Sequence, residues 1–125
     1  MIVKLVIPGS PIPLQRSRTS SGRHYLPARS KTYRLVVQAM WMQAGRPSLG
    51  DAPFAVSMRF YGARANADLD NLIKAILDAL NGLAYTDDRQ LRCIAGAHTL
   101  PVDAEGPRAE IDLWPAGQLN LERAS

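Results

Sequence analysis

The stretch of this sequence richest in chemistry is Asp68-Leu69-Asp70-Asn71-Leu72-Ile73-Lys74-Ala75-Ile76-Leu77-Asp78-Ala79-Leu80, with Asp87-Asp88 a few residues on. Residues two apart share a side of an extended segment and diverge on a helix. Asp68 therefore belongs just before a helix and Asp70 in its first turn, where the two carboxylates converge. Carboxylates held that close repel each other, and a divalent cation between them satisfies both. A ligand set made only of hard oxygens selects Mg²⁺ or Mn²⁺ over zinc. Lys74 lies one turn beyond Asp70, at i+4, on the same helix face. Asp88 follows the helix and is placed to close the metal site from the other side.

Each of these residues alone has a plainer reading. An Asp at a helix start caps free amides and complements the dipole. Asp70 and Lys74 have the favoured orientation for a helical ion pair worth only ~0.2–0.5 kcal/mol. Asp-x-Asp also occurs in phosphatases of the haloacid dehalogenase type, but there the first Asp ends an apolar strand. Here Arg64-Ala65-Asn66-Ala67 precedes Asp68, and 125 residues are too few for that fold.

The elements around the motif follow from periodicity. Residues 2–8 read as a strand, stopped by Pro8-Gly9-Ser10-Pro11-Ile12-Pro13. A long polar loop runs from there to about Ala28. Ser30 reads as the N-cap of a helix to about Ala44, with Tyr33, Val36, Val37, Met40, Trp41 and Ala44 on one face. Residues 53–61 alternate as a strand. The second helix spans about Leu69 to Asn81, its stripe Leu69, Leu72, Ile73, Ile76, Leu77 and Leu80, with Gly82 at the C′ position. Strands near 91–99 and 108–114 flank a Pro/Gly turn. The fold class is α+β (mixed α/β): a small mixed sheet of about four strands with two main helices, in the order β-α-β-α-β-β. A single domain covers 1–125, with 115–125 as a loosely held tail. The broad helix face over 33–44 and the C-terminal strand are two candidate surfaces for a homodimer.

The net charge of +4 is unevenly spread. Residues 1–50 carry eight basic residues and no Asp or Glu, while residues 51–125 carry seven basic and eleven acidic ones. A basic half beside an acidic half fits a polyanion-binding surface next to a metal site. Arg16, Arg18, Arg23, Arg29 and Lys31 are the candidate DNA-phosphate contacts. Arg outnumbers Lys twelve to three, and its planar fork suits phosphate; codon usage in a high-GC genome is the plain account of part of that bias. Tyr25 and Tyr85 sit in polar loops where an aromatic can stack on an unpaired base. The single Cys93 and the two histidines, His24 and His98, leave no zinc set and no internal disulfide. Cys93 reads as a small core residue. No stretch has the length of a membrane helix or the form of a signal peptide, so the expected compartment is the cytoplasm.

Taken whole, the string Asp-Leu-Asp-Asn-Leu-x-Lys-x-x-x-Asp-x-Leu and the later Asp-Asp resembles the signature of the RusA family of Holliday-junction resolvases. The first strand, Gly9-x-Pro11-x-Pro13 and Arg16-x-Arg18 extend the resemblance over residues 2 to about 100. It implies a dimeric, Mg²⁺-dependent endonuclease (Mn²⁺ substituting) that cuts four-way junctions by paired symmetric nicks, in bacteria and often in prophages. It further implies Asp68, Asp70 and Asp88 as metal ligands and Lys74 as the catalytic lysine, Asp87 being the less favoured neighbour. The rival on the same scaffold is a non-catalytic phage protein that only binds branched DNA.

Overall fold

The computed structural model describes the backbone of residues 2–15, 18–20, 23–25 and 27–118, and the side chains of residues 2–15 and 27–117. Strand β1 is Val3–Pro8. Short strands β2 (Arg18–Ser20) and β3 (Arg23–Tyr25) pair antiparallel as a separate hairpin. Helix α1 is Ala28–Gln43, strand β4 is Phe54–Tyr61 and helix α2 is Leu69–Leu80. Strands β5 (Leu91–Leu100) and β6 (Arg108–Pro115) complete the main sheet. The expected fold class and order are found. The hairpin is an addition inside what the sequence reads as plain loop.

The main sheet has the order β1-β6-β4-β5. Strand β6 pairs antiparallel with both β1 and β4. Strand β4 pairs parallel with β5, from Phe54↔Leu91 to Tyr61↔Leu100. A parallel pair needs a crossover, and α2 provides it. The two ends of α2 therefore lie at opposite ends of β4.

Alternation sorts the sheet's faces. Val3, Leu5 and Ile7 of β1, Val56, Met58 and Phe60 of β4, and Ile111 and Leu113 of β6 are buried against the helices. The other face carries an ion ladder in which Arg59 meets Glu110 at 3.0 Å and Asp112 at 3.4 Å. Arg108 holds Asp103 at 2.6 Å and Glu110 at 3.0 Å.

Helix α2 buries Leu72, Ala75, Ile76, Ala79 and Leu80, and full burial of Leu72 or Ile76 is worth about 1.5–3 kcal/mol each. Helix α1 buries Tyr33, Val37 and Trp41, spaced by four. Tyr33, Val37 and Trp41 are spent on the core, while Leu35 and Met42 of the same helix stay exposed. Strand β6 has both its edges paired, so it offers no edge to a partner strand. The sheet edges are β1 and β5.

Helix α1 also starts earlier than expected. Pro27 occupies the N-cap with no side-chain cap, and Ser30 lies inside the first turn, buried. Its Oγ accepts a hydrogen bond from the Gln15 amide at 3.3 Å instead. Proline suits this position because no intrahelical partner awaits its missing N–H. In the tail, Pro115 closes β6 and Ala116–Gln118 forms a 3₁₀ turn; the remainder lies outside the described residues.

Candidate active site

The cleft is built from three segments. After β4 the chain turns at Gly62, whose φ is +78° and whose amide donates to the Leu100 carbonyl at 2.9 Å. A Cβ there would lie 3.1 Å from Pro107 Cβ, so the close turn requires glycine. Residues 63–67 then lead to Asp68, which caps α2 by accepting from the Asp70 amide at 2.9 Å. The segment Pro11–Gln15 forms the facing wall. The Leu14 amide donates to the Asn71 carbonyl at 2.9 Å, and Gln15 is held by Ser30, so this wall is fixed to both helices.

Between them opens a cleft of about 850 Å³. Asp68, Asp70, Asn71 and Lys74 line it from α2, Arg64 and Asn66 from the turn, and Arg29 from α1. Lys74 Nζ meets Asp70 Oδ2 at 3.1 Å, with both side chains more than half exposed. Among the described residues Arg29 and Arg64 have no carboxylate within ion-pair distance. The first turn of α1 adds unneutralised amides, having no acidic residue.

This donor set fits a small divalent cation. Asp68 gives Oδ1 to the Asp70 amide and keeps Oδ2; Asp70 gives Oδ2 to Lys74 and keeps Oδ1. Mg²⁺ retains several waters and takes only one or two carboxylates. The two acids have therefore both their plain roles, cap and ion pair, and the oxygens left for a metal.

Asp88 lies elsewhere. It begins a 3₁₀ turn, Asp88–Gln90, that leads into β5, while Asp68 follows the far end of β4. The length of α2 separates them: twelve residues at 1.5 Å, about 18 Å. Within one chain Asp88 does not close the cleft. Among the described residues no group of three or more His, Cys, Asp or Glu is gathered to hold a metal.

Asp87 has a structural task there. Its Oδ1 accepts from the Arg89 amide at 2.9 Å, and Gln90 Oε1 accepts from the Asp87 amide at 2.7 Å, a capping box. The Arg89 backbone bond, then its guanidinium, hold the Asp87 carboxyl below the usual range.

Of the DNA-contact residues, Arg29 lines the cleft and Lys31 is exposed one turn into α1. Arg16 lies outside the described residues, as do the side chains of Arg18, Arg23 and Tyr25 on β2 and β3. Tyr85 is not available for base stacking: it is buried, stacks on Phe54 at 4.3 Å, and donates to the Leu77 carbonyl. Cys93 is half-buried on the edge strand rather than in the core. Arg64, Asn66 and Asn71 were missed as cleft residues. Their signal was proximity to Asp68 in a polar turn that must lie at the helix mouth.

The helix mouth thus presents two carboxylates, a lysine and two arginines that are unpaired among the described residues, a set chemically suited to phosphate. The profile of the family described as Endodeoxyribonuclease RusA matches residues 8–113, and the chain belongs to that family. It is thereby a member of an endonuclease family that acts on Holliday junctions. No curated protein matched the sequence.

Proposed function

We propose that the protein is a Mg²⁺-dependent endodeoxyribonuclease that resolves four-way DNA junctions by paired symmetric nicks, in recombination and repair, in a bacterial or prophage setting. The observation that carries this reading is the cleft in which Asp68, Asp70 and Lys74 stand together beside Arg29 and Arg64. Asp68 and Asp70 would hold the cation through their free oxygens, and Mn²⁺ is the expected substitute. Bound there, it supplies charge neutralisation at the scissile phosphate and water activation near neutral pH. Arg29 and Arg64 orient the phosphodiester. Lys74 donates to phosphoryl oxygens as negative charge builds on them. Arg16, Arg18, Arg23 and Lys31 extend the phosphate track along the basic N-terminal half.

A homodimer supplies the two sites that two nicks need. It also gives Asp88 its place. Strand β5 is an open edge of ten residues, and such an edge invites pairing with another chain. Antiparallel pairing of two β5 strands sets the start of one beside the end of the other. Asp88 precedes the start of β5, and the Asp68 mouth lies near its end, since Tyr61 pairs with Leu100. Each cleft would then gain its third carboxylate from the partner copy.

The experiment mixes two single variants, Asp70→Asn and Asp88→Asn, each inactive alone. If the third acid comes from the partner, a mixed dimer holds one intact site and nicks one strand of a synthetic junction in Mg²⁺. If each site is built within one chain, no mixture nicks. A wild-type protein that binds junctions but never nicks them, with Mg²⁺ or Mn²⁺, moves the reading to a non-catalytic branched-DNA binder.

A further inference from the structure

Ser30 is 6% exposed, a buried polar side chain that the proposed chemistry does not use. It stands in the first turn of α1, and that turn is poorly secured from within. Pro27 at the N-cap makes no side-chain bond, and no acidic residue follows it in the first turn. Amides at a helix start have no intrahelical acceptor, and such ends fray unless something holds them. Here the Lys31 amide donates to the Pro27 carbonyl at 3.0 Å. The other hold comes from outside the helix: Ser30 Oγ accepts from the Gln15 amide at 3.3 Å. Arg29, which lines the cleft, rides on this turn.

The amide just before Gln15 completes the arrangement. The Leu14 amide donates to the Asn71 carbonyl at 2.9 Å, beside Asp70 on α2. Two successive amides of one wall therefore hold α1 next to Arg29 and α2 next to Asp70. The wall is stiff, since Pro11 and Pro13 each lock their φ near about −65°. No ion pair joins Arg29 to either cleft acid among the described residues, so their spacing rests on this short piece of chain. Further along, Arg34 pairs with Asp78, and Gln38 Nε2 donates to the Ala79 carbonyl at 3.1 Å. Those bonds and the burial of Val37 and Trp41 hold the bodies of the two helices together without Ser30.

We propose that Ser30 is a positioning residue, whose tether to the Gln15 amide fixes the uncapped turn of α1 so that Arg29 meets the phosphate over Asp68 and Asp70. The proposal rests on the reading of Arg29 as a phosphate contact of the cleft.

The test is a double-mutant cycle of Ser30→Ala with Arg29→Ala in the full-length protein. It is read on junction affinity in Ca²⁺ and on cleavage rate in Mg²⁺. Ser30→Ala is expected to lower both by roughly two- to tenfold, the worth of one hydrogen bond. In the Arg29→Ala background the same change costs less than about twofold, because residues acting as one unit are not additive. Ser30→Cys fills the same space with a weak acceptor and gives the same pattern, which excludes a cavity as the cause. Amide exchange in the free protein reads the tether directly. The Gln15 amide is protected in the wild type and exchanges about tenfold faster in both Ser30 variants, while Val37 and Trp41 keep their protection.

Equal losses in both backgrounds overturn the proposal, because Ser30 then acts without Arg29. So does wild-type affinity and rate in both Ser30 variants, or a Gln15 amide that is unprotected from the start. Protection lost at Val37 and Trp41 in both variants makes Ser30 a residue of the fold and overturns it as well. Non-additive affinities in a protein that never nicks a junction support the tether and sink the nuclease reading alone.

Discussion

At one end of the β4–α2–β5 crossover, Asp68 and Asp70 stand in an open cleft beside Arg29, Arg64 and Lys74. At the other, Asp87 and Asp88 stand beside Arg89 and the buried Tyr85. Both ends hold a pair of acids and at least one base. They differ in which oxygens are already taken. Asp87 spends Oδ1 on the Arg89 amide and Oδ2 on its guanidinium, so it holds a turn together. Asp68 and Asp70 each keep one oxygen and face a cavity. Residue type alone does not distinguish a ligand from a cap; the remaining lone pairs and the space in front of them do.

The largest expected effect separates the two ends outright. Asp70→Asn lowers junction cleavage by about a thousandfold or more while binding in Ca²⁺ persists, because the arginines remain and one repulsive charge is gone. Equal loss of binding and cleavage breaks the comparison, by making Asp70 a docking residue. Lys74→Ala lowers cleavage by roughly a hundredfold. It leaves the melting temperature within a degree or so, since the exposed ion pair it breaks is worth only ~0.2–0.5 kcal/mol. Thermal melts that drop sharply would make Lys74 structural instead.

A smaller effect sharpens the contrast in charge. Arg29→Ala flattens the log–log salt dependence of junction binding by about 0.9, one phosphate's worth. Arg89→Ala, whose charge is already offset by Asp87, changes the slope less. Matching changes in both variants would mean that DNA covers the whole crossover.

The smallest effect belongs to the capping box. Asp87→Ala lowers the melting temperature at pH 7 by about 3 °C. Because the folded carboxyl titrates below the unfolded one, its contribution is present above the unfolded pKa, near 3.8, and is lost as pH falls through the depressed folded value. The gap between variant and wild type therefore closes in that acidic window, which a melt series from pH 7 downward reads directly. A gap that stays constant rules out the ionised cap.

Helix α2 was legible because its signals are local. The stripe of Leu72 and Ile76, the cap at Asp68 and the left-handed Gly82 all lie within one helix length. The cleft acids were legible for the same reason. The place of Asp88 was not, because it depends on β4 and β5 running parallel, a long-range pairing that no window of sequence contains. Ser30 has the right side chain for a cap, but tertiary contact with Gln15 used it, and Pro27 began the helix. Tyr85 sits in a polar stretch and reads as surface; the ring of Phe54 draws it inside. The β2–β3 hairpin escaped notice because three-residue strands of polar residues show no alternation to detect.

The position of β6 between β1 and β4 bears on when this molecule exists at all. Val3 and Val56 both pair with Leu113, so β1 and β4 meet through a strand made after both of them. During synthesis the N-terminal segment waits, its apolar face without a neighbour in the sheet, until residues 108–115 emerge. Such distant pairings form slowly and leave sticky intermediates exposed meanwhile. A ribosome stalled before residue 108 would hold a chain with the helices and cleft residues already translated, yet without the strand that joins its sheet.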